Sequence, residues 1–337
     1  PVQFPTGMHL SSTIMKSLPS HNHATKRPFL ALAVLLSIFT AAAGAGGQDT
    51  GEVSTVSIHQ APSDLLAGQI RAICYSGFRK GQHPDRGSGA VNPSDKEILE
   101  DLEILVDHGF SLIRLYDSRE NSSAILRLIK DHDLKLKVLL GAWLDAEINN
   151  PNCPWRKKPY SDALLAANKI KNEQEIKRTI RLAERYQKTV DAVAVGNEAL
   201  VEWIDHMVPV ETVSRYVRRV RNSIGQPVTV ADNYDWWAKH AENLAKEVDF
   251  VSIHIYPIWE QQDVGTSISF GIENLKAVRR ALPQSRIVIT EAGWATTASE
   301  FGSRASEKKQ KRYFDELMAW ATETNITTFF FEAFDED

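Results

Sequence analysis

The stretch Arg286–Thr297, RIVITEAGWATT, decides how the chain is read. Ile287, Val288, Ile289 and Thr290 are β-formers, which predicts a short, fully buried strand. Glu291 breaks the apolar run, and Ala292-Gly293 let the chain turn. A carboxylate at the end of a buried strand is costly unless a partner or a reaction uses it. The plainer alternative is a strand-end glutamate that faces water. A second stretch, Val190–Leu200, VDAVAVGNEAL, has the same form and ends in Glu198, preceded by Asn197. Two buried strands that each deliver a glutamate at the carboxyl end supply what retaining cleavage of a glycosidic bond requires. One carboxylate attacks the sugar and one carboxylic acid protonates the leaving oxygen, at roughly 5–5.5 Å separation.

Outward from these two strands the chain alternates strands and helices, which argues for an α/β fold with a parallel sheet. Strands are predicted at Ile70–Phe78, Ser111–Asp117, Leu136–Trp143, Val190–Leu200, Pro227–Asn233, Asp249–Tyr256, around Ile287–Glu291, and at Thr327–Phe334. Helices are predicted at Ser94–His108, Ser122–Asp131, Asp162–Gln187 with a break near Lys171-Asn172, Val210–Ile224, Glu242–Lys246, Ile272–Leu282 and Ser306–Thr324. Ser94 with Glu97 forms a capping box, and Gly109 ends that helix. Eight strands and seven helices predict a (β/α)8 barrel whose last helix lies beyond Asp337, leaving an apolar groove between the last strand and the first.

Period-two alternation assigns faces. Ala192, Ala194, Gly196 and Glu198 share the interior face of their strand, and Val193 and Val195 face the helices. The same rule groups Ile287, Ile289 and Glu291; Ser252, His254 and Tyr256; and Phe330 with Glu332. Active sites in such barrels lie at the carboxyl ends of the strands, which here hold Asp117, Glu198, Asp232, Tyr256, Glu291 and Glu332. Arg114 is a candidate to stabilise a carboxylate; its alternative is an ordinary ion pair. Asn197 can donate to a sugar 2-hydroxyl or act as a loop cap. His254 is read as supporting Tyr256 or Glu291 through hydrogen bonds, or as a core residue. Aromatic residues follow the strands at Trp143, Trp155, Tyr160, Trp203, Trp236, Trp237, Trp259 and Trp294. Flat rings suit stacking on sugar faces, whereas packing beneath loops explains part of the group. Trp294, beside Glu291, is the leading stacking candidate.

VGNE at Val195–Glu198 with ITEAGW at Ile289–Trp294 resembles glycoside hydrolase family 17, over about Ile70 to Asp337. Ala295 stands where plant members carry proline, and FFFEAFDED at Phe329–Asp337 is similar to the microbial branch. The resemblance implies a (β/α)8 barrel acting on β-1,3-glucan, with Glu198 as general acid/base and Glu291 as nucleophile. It matches Tyr116 and Tyr256 to tyrosines near the carboxylates and Glu336 to a carboxylate near the acid/base. Glu332 suits the microbial pattern and is a candidate for sugar hydroxyls. The implied partner is a β-glucan oligo- or polysaccharide, and no cofactor is called for. Hydrolysis and transglycosylation use the same residues, so both stay open. So do a catalytically dead glucan-binding protein and a Glu-pair barrel acting on β-1,4 links.

Composition bounds these readings. The 337 residues are 43% hydrophobic and 24% charged, ordinary for a globular protein, and a net charge of −4 leaves no basic footprint for nucleic acid. Cys74 and Cys153 cannot make a disulfide framework, and Cys74 is read as a buried thiol. No Cys/His cluster has metal-ligand spacing. Residues 1–47 carry Lys26-Arg27, the apolar run Pro28–Ala43 and small residues at Ala43-Gly44-Ala45. That pattern predicts a secretory signal and a secreted or periplasmic protein; the alternative is an uncleaved membrane anchor. Residues 48–68 form a polar leader, and 69–337 the catalytic domain.

Overall fold

The computed structural model describes residues 70–85, 89–241 and 243–334. Eight parallel strands close in sequence order: β1 (Ala72–Cys74), β2 (Leu112–Arg114), β3 (Lys137–Ala142), β4 (Val190–Asn197), β5 (Val228–Asn233), β6 (Val251–Ile255), β7 (Ile287–Gly293) and β8 (Thr328–Phe331). β8 closes on β1 with Ala72 opposite Phe329 and Ile73 opposite Phe330. The helices are α1 (Asp95–Asp107), α2 (Glu120–Asp131), α3 (Asp162–Arg185), α4 (Val210–Arg221), α5 (Tyr234–His240), α6 (Ser267–Ala281) and α7 (Glu307–Thr324). This is the expected (β/α)8 barrel. No helix follows β8 among the described residues, and a groove of about 510 Å³ runs past Ile70, Phe314, Met318 and Thr328.

Closure sorts the core into two layers. Leu112, Leu139, Phe250, Val288, Phe329 and Phe331 fill the barrel, and Ala192, Ala194 and Ala231 leave them room. Val193, Val195, Ile253, Ile255 and Phe330 pack outward against the helices. β4 and β6 therefore alternate as expected. On β7, Val288 is interior and Ile289 exterior, the reverse of expectation, yet Glu291 still points inward. The pairing with β6 slips by one residue, Ile253 opposite Ile289 but His254 opposite Glu291. Thr290 is the extra residue of a bulge that re-aims the glutamate. Phe330 likewise faces the helices, meeting Phe314 at 5.0 Å, and Glu332 lies past the strand end where alternation no longer applies.

Three helices differ from expectation. The fifth is α5, whose Tyr234-Asp235-Trp236-Trp237 reads as an aromatic loop in sequence. Asn233 caps it by accepting from the Asp235 N–H at 2.9 Å, and Trp237 is fully buried. Only a 3-10 turn, Leu244–Lys246, occupies the expected position. α3 is unbroken at Lys171-Asn172, where buried Asn172 donates to the Asp145 carbonyl and to Glu147, 2.9 Å each. α6 begins earlier, at Ser267. The Ser94–Glu97 capping box is present, with Ser94 N–H donating to Glu97 at 2.8 Å.

Candidate active site

β2, β4, β6 and β7 meet at the carboxyl end of the barrel through Arg114, Asn197, His254 and Glu291. Arg114, buried, donates from Nη1 to Glu291 Oε1 at 2.6 Å and to the Thr290 carbonyl at 3.0 Å. Its Nη2 donates to Asn197 Oδ1 at 2.6 Å. Asn197 is thus held from the guanidinium side. Tyr256 donates its hydroxyl proton to Glu291 Oε2 at 2.6 Å. Burial pushes the Glu291 carboxyl up, but nearby His254 and Arg114, with the Tyr256 and Arg114 hydrogen bonds, outweigh it and hold it below the ordinary glutamate value.

Glu198 reaches the same centre from β4. Gly196 (φ 84°) and Glu198 (φ 46°) are both left-handed. A side chain at 196 would be strained by that backbone and would meet Leu144 Cδ1 at 3.3 Å from its Cβ, so glycine is favoured. The turn lets the adjacent Asn197 and Glu198 both address the cleft. His254 bridges the carboxyls: its Nδ1 lies 3.0 Å from Glu198 Oε1 and 3.6 Å from Glu291 Oε2. The two oxygens can be no farther apart than those distances laid end to end. Arg114 Nη1 lies 3.2 Å from His254 Nε2.

Above this centre lies a cleft of about 1730 Å³ whose walls include Tyr75, Tyr116, Trp143, Tyr160, Asn197, Glu198, His206, Glu291, Phe331 and Glu332. Tyr116 lies under the Arg114 guanidinium, 4.6 Å from ring centroid to Cζ. Glu332 faces the cleft as expected; Glu336 lies outside the described residues. Among the described residues, no group of three or more His, Cys, Asp or Glu could hold a metal ion. Both cysteines are free and buried.

Three expected site residues stand elsewhere. Asp232 is fully buried and accepts from the Leu200 and Asn233 N–H groups at 3.0 and 2.8 Å, so it braces the β4 turn without meeting the cleft. Burial, then the Glu198 charge, pushes its carboxyl well up. Trp294 is buried in the outer layer, 5.3 Å from Tyr313, with its indole N–H on the Arg304 carbonyl. Trp236 packs there edge-on to Trp237 at 5.5 Å. Of the aromatic set, Trp143 and Tyr160 line the cleft. Sequence reasoning missed Asp205 and His206, because no motif marks them; only proximity to Glu198 after folding does.

The sequence model of the BtgE/BtgC glycoside hydrolase domain matches residues 72–337. The chain belongs to the BtgE/BtgC glycoside hydrolase family. This glycoside hydrolase domain is 27% identical over 162 residues to a glucan 1,3-beta-glucosidase of Schizosaccharomyces pombe, covering 44% of this chain and 50% of that protein. The chain thus spans half the length of that relative. A glucan 1,3-beta-glucosidase of Arthroderma benhamiae is 24% identical, covering 70% of this chain and 72% of that one. Among solved structures, the BtgE/BtgC domain matches an active-site mutant of Rhizomucor miehei β-1,3-glucanosyltransferase in complex with laminaritriose. The TM-score is 0.60 at 21% identity, over 80% of this chain and 89% of that one. A glycoside hydrolase family 17 β-1,3-glucanosyltransferase from Rhizomucor miehei gives 0.59. At such identity the likeness carries the fold.

Proposed function

We propose that this protein cleaves β-1,3-glucan by double displacement with retention, using Glu291 as nucleophile and Glu198 as general acid/base. One observation carries the reading: both carboxyls lie on a single imidazole nitrogen, at 3.0 and 3.6 Å. That bound, set on one oxygen of each carboxyl, accommodates the roughly 5–5.5 Å separation of retaining pairs. Glu291, ionised beside Arg114, attacks the anomeric carbon. Glu198 gives its proton to the departing glycosidic oxygen, and a glycosyl ester forms on Glu291. Glu198 then takes a proton from the attacking hydroxyl, which breaks the ester and restores both groups. Tyr256 and Arg114 hold the nucleophile from opposite oxygens, and Trp143 and Tyr160 offer rings to glucosyl faces.

The β-1,3-glucan substrate follows the relatives' names and the laminaritriose bound to the glucanosyltransferase. The attacking hydroxyl can come from water or from a second glucan, and the glucanosyltransferase neighbour favours keeping the second reading. Time-resolved product analysis on laminari-oligosaccharides tests both. Shorter products alone support hydrolysis, products longer than the starting material support transfer, and turnover unchanged in Glu291→Ala would end the nucleophile assignment. Export is part of the proposal, supported by the run Pro28–Ala43 ahead of Ala43-Gly44-Ala45. Mass determination of the mature amino terminus tests it; a chain retaining Pro28–Ala43 in the membrane fraction favours an anchor.

A further inference from the structure

We propose that His206 is a positioning residue for the general acid/base, locking the Asn197–Glu198 peptide so that Glu198 keeps its left-handed backbone. The proposal rests on the reading of Glu198 given above. Left-handed backbone is unfavourable for an L-residue and persists only where its surroundings over-determine it. Here both polar groups of one peptide are held. The Glu198 N–H donates to the Ala231 carbonyl at 2.9 Å, and the Asn197 carbonyl on the same peptide lies 2.9 Å from His206 Nε2. A carbonyl can only accept, so Nε2 carries the proton. Were the carbonyl released, the peptide could rotate and Glu198 could relax toward ordinary φ, taking its carboxyl away from His254.

The imidazole is itself fixed on its other sides. Its Nδ1 faces Asp205 Oδ1 at 3.6 Å. Asp205 Oδ2 in turn accepts from Arg156 Nε at 2.9 Å and the Tyr160 hydroxyl at 3.0 Å. Burial pushes the Asp205 carboxyl up, but the neighbouring His206, Arg156 and Tyr160 outweigh it and hold it well below the ordinary range. The Trp143 ring lies 4.8 Å from the imidazole, tilted 30°. The Arg114–Glu291 pair does not pass through His206. Removing His206 should therefore damage proton donation and spare the nucleophile.

That separation is readable through the leaving group. A 2,4-dinitrophenolate departs without a proton, whereas a glucosyl oxygen needs one. The kcat/KM of laminaritetraose and of 2,4-dinitrophenyl β-laminaribioside is measured for wild type, His206→Ala, His206→Gln and Glu198→Ala. His206→Ala is expected to lose on the order of a hundredfold on laminaritetraose, the scale of a misplaced group, and little on the dinitrophenyl substrate. His206→Gln, whose amide can donate to the Asn197 carbonyl, should recover much of the loss. No loss, an equal loss on both substrates, or a raised KM with kcat untouched overturns the proposal. If His206→Ala does not fold, Asp205→Asn, which leaves the ring but removes the charge orienting it, must lose activity on laminaritetraose selectively, and an equal loss or none overturns it. Glu198→Ala separates the failures. If it lacks the leaving-group dependence, the acid/base reading fails; if it has the dependence and His206→Ala does not, only the His206 proposal fails.

Discussion

Arg114 and Glu291 form an ion pair at 2.6 Å with both side chains buried, joining β2 to β7 across the barrel interior. Most of the chemistry depends on what this pair does to the carboxylate's charge. An isolated buried carboxylate would take up a proton; nearby His254, the guanidinium and the Tyr256 hydroxyl keep Glu291 toward its charged form.

The pH profile should carry this signature. On the proposed mechanism Glu291 reacts in its ionised form, and its carboxyl is held below the ordinary glutamate value. The acid limb of kcat/KM is therefore expected below the ordinary glutamate range. Tyr256→Phe or Arg114→Lys weakens support for the charged form while burial continues to oppose it. Either change should raise the carboxyl's proton affinity and move the limb to higher pH. A limb that stays in place in both variants contradicts this account of the site.

Gly196 should resist substitution. Gly196→Ala puts a Cβ into left-handed backbone, at roughly 1–2 kcal/mol, with Leu144 Cδ1 only 3.3 Å away. A lowered denaturant midpoint together with a lowered kcat is expected, because the same turn aims Glu198. Wild-type values for both would remove the turn from the mechanism.

Trp294 separates packing from binding. Its ring is buried against Tyr313 behind β7, so Trp294→Ala should destabilise by about 3–5 kcal/mol, as large aromatic truncations in cores do. Trp143→Ala, in the cleft, should instead raise KM for laminari-oligosaccharides with a smaller stability cost. Urea unfolding and steady-state kinetics on both variants check the contrast; a Trp294 effect confined to KM would reverse it.

How these residues read in the sequence follows from local physics. On β4 the alternation of alanine and valine records which side is narrow and which faces helices, so the interior was legible before Glu198 was reached. On β7 the run Ile287–Thr290 is uniformly β-branched, and nothing in it marks Thr290 as the bulged residue that reverses the parity. Glu291 was found because it is acidic at a strand end, although its assigned face-mates were wrong. Trp294 and Trp236 misled because an aromatic residue after a strand looks the same whether it lines a cleft or sits under a helix. The Asn233 cap was the available sign that α5 starts there. Asp205 and His206 were invisible because they act through the backbone of a segment they meet only after folding.

The most direct test of the two-carboxylate reading is covalent. Incubation with 2-deoxy-2-fluoro-β-laminaribiosyl fluoride, followed by proteolysis and mass spectrometry, should give one glycosylated peptide with the sugar ester on Glu291. An ester on another residue, or inactivation with no covalent adduct, would contradict it.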